Sequence, residues 1–493
     1  MEIPSLSRTL RLQAEVVSLK RIQDDLSRQL VSGKKAETFG GLGGDAAVVL
    51  SLRDQISSQQ SYIKTIDLIS LRLGIQSATL TRIDDLASKL KTDSLTASFD
   101  LTGSGQTQLQ LNAVSQFDEI ASLLNTEIAG RHLFAGTDTT NSPVALPAVI
   151  LDGDATRAGF RQVVSERSQA DLGSDDRARL TLNTTAATFS ITEDADPSVF
   201  GAKLSGATSS LSGTTVTGPV GSPPNIDIAF TSTLPEQGQS ITFEFTLPDG
   251  TVETLSFKAT TVSPAGEGAF LIGVDENATA ANFHTAFDAA LQDFAKTTVK
   301  AASAAQASTD FFDNNPPQRV SGAPLTSATA LTNGTSADTV IWYTGDASSS
   351  APGLAKIGDN EIISYGIRAD EKAIVALLKT TALLTITIFS SSDPLAADNY
   401  SEMIERVADT VSFKGTRSPV DALIETGFLQ AKLDDTKERT ESSISVSLGL
   451  VADVENADPY EIAAKIGVVQ SQLEAAFQVT ARVNELSLLN FLR

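Results

Sequence analysis

Apolar residues recur at seven-residue intervals near the start of the chain. Leu12, Leu19 and Leu26 mark one position of the repeat, with Val16, Ile22 and Leu30 beside them, so one apolar seam runs along an amphipathic helix ending at Gly33. A glycine-rich hinge over 39–44, containing Gly41 and Gly44, follows, and Asp45 stands where an N-cap belongs. The next periodic segment is longer. Leu52, Gln59, Ile66, Leu73, Leu80 and Ala87 hold one heptad position and Ile56 and Ile63 another, keeping one face apolar over 46–91. At 1.5 Å per residue this helix is about 65 Å long, and so long a seam needs partner helices from the same chain or from neighbouring subunits. After a break at 103–105, Val114, Phe117, Ile120, Leu124 and Ile128 predict a third helix reaching Gly130.

The other end mirrors the first. Asp458, Pro459 and Glu461 read as N-cap, first helical residue and N3 of a last helix. Its seam is Ile462, Ile466, Val469, Leu473, Ala476, Thr480 and Val483, and Leu486, Leu488, Leu489, Phe491 and Leu492 form an apolar tip that expects a partner. Between the ends the texture becomes rich in Ser, Thr, Gly and Pro. Residues 241–258 alternate apolar and polar around a Pro248-Asp249-Gly250 turn, which predicts a hairpin. Residues 280–299 predict a helix capped by Thr279, with Phe283, Phe287, Leu291 and Phe294 on one face. The stretch 316–339 reads as loop or linker, 363–384 as a strand leading into a helix, and the all-helical texture resumes near Pro394.

The expected architecture is therefore α+β and multidomain, with long terminal helices packed as a coiled coil or helical bundle and a β-rich central domain inserted between them. The segments are 1–45 (assembly helix and hinge), 46–140 (helical rod), 141–393 (β-rich domain), 394–457 (helical rod) and 458–493 (assembly helix). The residues assigned to an assembly interface are Leu12, Leu19, Leu26, Leu52, Ile56, Ile63, Ile66, Leu73, Ile462, Ile466, Val469, Leu473, Val483, Leu488 and Leu489, with Gly33, Gly41 and Gly44 as hinges.

Composition narrows the function. A net charge of -23 repels nucleic acid and anionic lipid, so neither is an expected partner. Residues 151–395 hold 28 acidic and 14 basic side chains, which fits a solvated, outward-facing middle. The absence of cysteine rules out disulfides and thiolate metal sites. The first residues lack the apolar core of a cleavable secretory signal, and no stretch reaches the length of a membrane span.

Candidate chemistry is sparse. His132 and His284 are too few to build a zinc site or to pair with a nucleophile without other groups. The glycines at 40–44 lack the Lys-Ser/Thr ending of a phosphate loop. Asp152 with Asp154, and Glu193 with Asp194 and Asp196, have calcium-ligand spacing but no EF-hand continuation, and read as solvated acidic loops. No catalytic, metal or cofactor residue is assigned, and no cofactor is expected.

Several stretches resemble the bacterial flagellins and the related hook-filament junction proteins. Residues 130–136, Gly-Arg-His-Leu-Phe-Ala-Gly, resemble the junction-protein segment that closes the N-terminal helical region; Gly33 with Lys34 stands where the family turns after its first helix. Residues 454–458, Val-Glu-Asn-Ala-Asp, are similar to the motif before the last helix, and 486–493 to family C-termini. The resemblance covers 1–140 and 395–493, with weaker likeness over 365–384. The 39–45 stretch departs from the family's Asn- and Asp-rich turn. The motifs at 130–136 and at the C-terminus lean towards the junction protein and the long middle towards a filament subunit.

The resemblance implies a non-enzymatic subunit, exported without a cleaved signal peptide to the extracellular flagellum. There it adds head-to-tail to copies of itself in an open helical array. It further implies contacts with hook-associated and cap proteins and an export chaperone masking 462–492. Two other classes stand beside this one: a surface adhesin or glycan-binding module in the central domain, and an embedded enzyme, which would need a metal or acid/base pair.

Overall fold

The fold is described from a computed structural model, which covers residues 3–195, 197–346 and 353–491, with side chains described between 10 and 483. It is mixed α and β, with long helices at both ends and sheets in the middle of the chain. Along the chain, α1 (Ile3–Ser32) and α2 (Ala46–Leu95) precede α3 (Gln108–Leu124), β1 (Glu127–Ile128), β2 (Arg131–His132), α4 (Pro147–Asp152) and α5 (Phe160–Leu172). Then come β3 (Leu180–Thr185), β4 (Thr188–Glu193), β5 (Lys203–Ser209), β6 (Thr214–Val220), β7 (Asn225–Phe230), β8 (Ser240–Thr246), β9 (Val252–Thr260) and β10 (Ala269–Leu271). They are followed by α6 (Glu276–Phe294), α7 (Lys300–Phe312), β11 (Gln318–Ser321), β12 (Ala330–Asn333), β13 (Leu354–Lys356), β14 (Ile362–Ser364), α8 (Lys372–Ile386), α9 (Ala396–Thr410), α10 (Pro419–Glu455) and α11 (Pro459–Phe491).

The chain divides into two compact units, one of residues 1–70, 355–363 and 431–493, the other of 71–354 and 364–430. The divisions fall inside α2, β13, β14 and α10. The cause is a core that the N-terminal helices share with the middle of the chain. In the second unit, Leu80, Ile83, Leu86 and Leu90 of α2 and Phe117, Ile120 and Leu124 of α3 bury against Leu377, Leu378 and Leu384 of α8, Tyr400 and Met403 of α9, and Trp342. Because α8 is apolar on nearly every side, it lies inside this core, as an all-round hydrophobic helix must. Gln110 links two helix ends. It forms a capping box with Thr107, whose N–H donates to Gln110 Oε1 at 3.0 Å, while Gln110 Nε2 donates to the carbonyls of Leu384 and Thr387 at the end of α8, at 3.2 and 2.8 Å.

A second core in this unit belongs to the β region. One four-stranded antiparallel sheet has the order β3-β4-β7-β6; the other runs β10-β9-β8-β5, with β10 parallel to β9. In β4, β7 and β8 alternate residues are buried, the period of two that gives a sheet one dry face. Helix α6 covers both sheets, with Phe283 placed 5.0 Å from Phe189, 5.1 Å from Phe270 and 5.6 Å from Phe257 between ring centres. The hairpin expected over 241–258 is β8 and β9.

Several boundaries differ from the sequence expectation. The cap of α6 is Asp275, whose Oδ1 accepts from the N–H of Ala278 at 2.7 Å, and not Thr279, whose hydroxyl donates to the carbonyl of Asp275 at 2.8 Å. The third helix stops at Leu124, and Ile128 lies in β1. The helical stretch after Pro394 breaks between α9 and α10, where Phe413 and Gly415 take positive φ.

The expected linker over 316–339 is partly a hairpin, β11 pairing antiparallel with β12. Its tail is held by Asp338, whose Oδ1 accepts from the Thr335 N–H at 2.9 Å and the Thr339 hydroxyl at 2.6 Å. These hydrogen bonds hold the Asp338 carboxyl down at about 2, below its ordinary value of 3.8. A carboxyl depressed on folding adds stability above its unfolded value and loses it as pH falls through the folded one. The Thr335 amide should therefore lose hydrogen-exchange protection as pH drops from about 4 to about 2, and Asp338→Asn should abolish that pH dependence.

The acidic pairs and clusters are structural. Asp154 is bound by Arg157, its N–H at 2.8 Å and its Nε at 2.7 Å, and Asp152 accepts from Arg161 Nε at 2.9 Å. Glu193 is buried and not solvated, accepting from the Leu204 N–H at 2.9 Å and pairing with Lys203; Asp194 pairs with the buried Arg179, while Asp196 lies outside the described residues. Deeper still, Arg167 donates to Asp171 at 2.8 Å and to Asp310 at 2.7 Å, with side-chain exposures of 3%, 0% and 4%. Asp171 also accepts from the Gly201 N–H at 2.9 Å, Asp310 from Gln306 at 2.9 Å, and the guanidinium lies 4.9 Å from the Phe200 ring centre.

Candidate assembly interface

The terminal helices meet in the unit of residues 1–70, 355–363 and 431–493. Helix α1 packs along α11. On α1, Leu12, Val16, Leu19 and Leu26 are half-buried; on α11, Ile462, Val469 and Leu473 are buried and Ile466, Ala476, Thr480 and Val483 half-buried. These positions advance by alternate steps of three and four, the spacing that keeps a helical stripe on one side. Asp458 starts α11 as expected, accepting from the Tyr460 N–H at 2.8 Å and the Glu461 N–H at 3.4 Å.

In the same unit, the part of α2 up to residue 70 packs on the part of α10 from 431. Val49, Ile56 and Val451 are buried together, with Leu42, Leu52, Ile444 and Val454 packed against them. Polar pairs fix the register: Gln59 Nε2 donates to Ser443 Oγ at 2.9 Å, and Lys437 donates to Asp67 at 2.7 Å. Ile66 is buried and Ile63 half-buried. Leu73 belongs to the other unit, where it is fully buried.

Two turns close the arrangement. Gly33 has φ of 67°, the left-handed conformation that ends a helix at low cost only for glycine, and its N–H donates back to Gln29 at 2.9 Å. The Gly33 carbonyl accepts from the Ala457 N–H at 2.9 Å, and the Lys35 N–H donates to the Glu455 carbonyl at 2.8 Å, an antiparallel bridge between the turn after α1 and the turn before α11. Glu455 also accepts from Arg53 at 2.6 Å and pairs with Lys34 at 3.7 Å, and Lys35 Nζ reaches the Asp453 carbonyl at 2.8 Å. Heptad spacing did not point to Glu455, Lys35 or Ala457, because their roles depend on a pairing between distant segments.

The hinge glycines differ in kind. Phe39–Asp45 is a 3-10 segment in which Gly43, at φ 59°, makes the turn, and a Cβ on Gly41 would stand 2.7 Å from that of Ala36. At Gly44 a Cβ would meet nothing. Leu488 and Leu489 fall outside the residues whose side chains are described.

Most of the seam is thus satisfied within the chain. Ile22 and Leu30, expected on the seam, are 45% and 41% exposed, and a further set of apolar positions is uncovered as well. On α1, Leu10, Val17 and Val31 share one heptad position on the side away from the seam, with Asp24 at the place between the last two, and Val31 is 90% exposed. On α11, Val468 and Val479, 57% and 48% exposed, are three turns apart and share a side. Leu50 and Leu68 of α2 and Val446 and Leu450 of α10 are exposed as well.

The histidines serve local packing: His132 Nδ1 lies 3.1 Å from the Asn125 carbonyl oxygen, and His284 Nδ1 2.8 Å from Thr184 Oγ1. Among the described residues no three His, Asp or Glu side chains converge on a point that could hold a metal ion, and no helix is long and apolar enough to cross a membrane. No family model matches the chain, and no curated protein matches it.

Proposed function

We propose that this chain is a structural, non-enzymatic subunit of the bacterial flagellum, of flagellin or hook-filament junction type. Its terminal helices form an intrachain coiled coil whose outer sides contact neighbouring copies in an open helical array, and the acidic β region faces solvent. The observation that carries this reading is the second apolar stripe on α1 and α11, which stays uncovered after the first is packed. Large exposed apolar patches on a water-soluble surface mark interaction sites, and stripes that follow helices suit helix-to-helix contact between subunits. The resemblance in 130–136 and 454–458 adds the flagellar assignment. With it come the expected partners, hook-associated and cap proteins and an export chaperone on the C-terminal region, and the extracellular location.

Negative-stain electron microscopy of the purified protein tests the reading. Full-length chain should form filaments, or bind only at hook or filament ends if it is the junction type. A version lacking 1–45 and 459–493 should do neither. Monodisperse full-length protein that ignores such ends would overturn the proposal.

A further inference from the structure

The unit of residues 71–354 and 364–430 contains, next to β2, a cleft of about 220 Å³ lined by Arg72 and Gln76 of α2, Arg131 and His132 of β2, and Tyr365. Arg72 and Gln76 are four residues apart and so lie one above the other on a single side of α2. Gln76 is 3% exposed; its Nε2 donates to the carbonyls of Leu133 at 2.7 Å and Ile367 at 3.3 Å, which fixes the amide, and its Oε1 is buried with no partner. Arg72 donates through Nη1 to the Tyr365 hydroxyl at 3.0 Å, and its Nε is also buried with no partner. Among the described residues neither Arg72 nor Arg131 forms an ion pair. One cleft therefore combines two arginines unmatched by carboxylates, a buried donor left open and a buried acceptor left open. Buried polar groups are nearly always hydrogen-bonded, so two such exceptions on adjoining turns that line one cleft point to a ligand.

We propose that this cleft binds a small hydroxylated carboxylate of sugar-acid size. The planar guanidinium groups of Arg72 and Arg131 receive the carboxylate, and a ligand hydroxyl donates to Gln76 Oε1. Guanidinium forks match the flat carboxylate, and the open acceptor demands a donor that acetate lacks. The Leu133 side and the Tyr365 ring give the cleft an apolar wall for a carbon skeleton, which inorganic phosphate does not have. The volume lies below the roughly 300 Å³ at which pockets for drug-sized ligands begin, which suits a single sugar ring. This site is independent of the assembly reading.

Isothermal titration of full-length protein with D-glucuronate, D-glucose, acetate and inorganic phosphate tests it. Glucuronate should bind one saturable site at least about tenfold more tightly than each of the other three, since a hydrogen bond to a charged group is worth roughly that factor or more. Arg131→Ala, at an exposed position, should keep its circular dichroism spectrum and lose about tenfold in glucuronate affinity, with Arg131→Lys intermediate. No saturable glucuronate binding, equal affinity for acetate or phosphate, or unchanged affinity in Arg131→Ala would each overturn the proposal.

Discussion

Replacing Val468 and Val479 together by aspartate is expected to abolish filament growth while leaving the subunit folded. The two side chains stand away from the α1 seam, so Ile462, Val469 and Leu473 keep their packing and helix content should be unchanged. Two carboxylates on a stripe meant for burial would have to be desolvated at every subunit contact, at several kcal/mol per unpaired ion. The matched change on the seam, Leu473→Asp, should do the reverse and lower the thermal midpoint of the isolated subunit. Electron microscopy and circular dichroism read the two effects separately. Normal filaments from the Val468→Asp/Val479→Asp protein would mean that this side of α11 is not an intersubunit contact.

The second large effect concerns folding. Arg167→Met should cost about 3–5 kcal/mol, the usual result of breaking a buried ion pair, because Asp171 and Asp310 would remain buried with no counter-charge. The apolar part of the side chain is kept, so little of the loss would come from packing against Phe200. If the cost lies in stranded charge, adding Asp171→Asn and Asp310→Asn to Arg167→Met should recover part of the stability. Urea unfolding of the single and triple variants decides it. A single variant within about 1 kcal/mol of the parent would show that the two acids can share a proton or reach water at little cost.

The helices and the hairpin were readable because their signals are local. Heptads at Leu12, Leu19 and Leu26 and at Ile462, Val469 and Leu473 state which side of each helix is buried, and alternation over 241–258 states the strand pair. The identity of the partner is not local. Spacing alone left open whether the seam would be covered within the chain or by a neighbour, and the exposed stripe of Leu10, Val17 and Val31 was hidden by the stronger seam beside it. The start of α6 lies four residues before the expected cap because Thr279 and Asp275 are both good caps, and the Thr279 hydroxyl is taken up by the Gly273 N–H and the Asp275 carbonyl. Glu193 and Asp194 look like solvent-facing acids in sequence. Asp194 does face solvent, but Glu193 is buried where the fold brings Lys203 and the Leu204 N–H against it.

The bridge between Lys34 and Asn456 joins residues more than four hundred positions apart, as the Lys35 to Asp453 bond, separated by 418, makes plain. Contacts of such high sequence separation form slowly, because a long loop must close before any of them returns free energy. A chain that emerges N-terminus first, from a ribosome or a narrow channel, must therefore hold residues 1–70 without their cover until 431–493 have followed. Completion of the helical unit therefore waits for residues 431–493, so a copy truncated before them would leave its first helices unpaired and open to proteolysis.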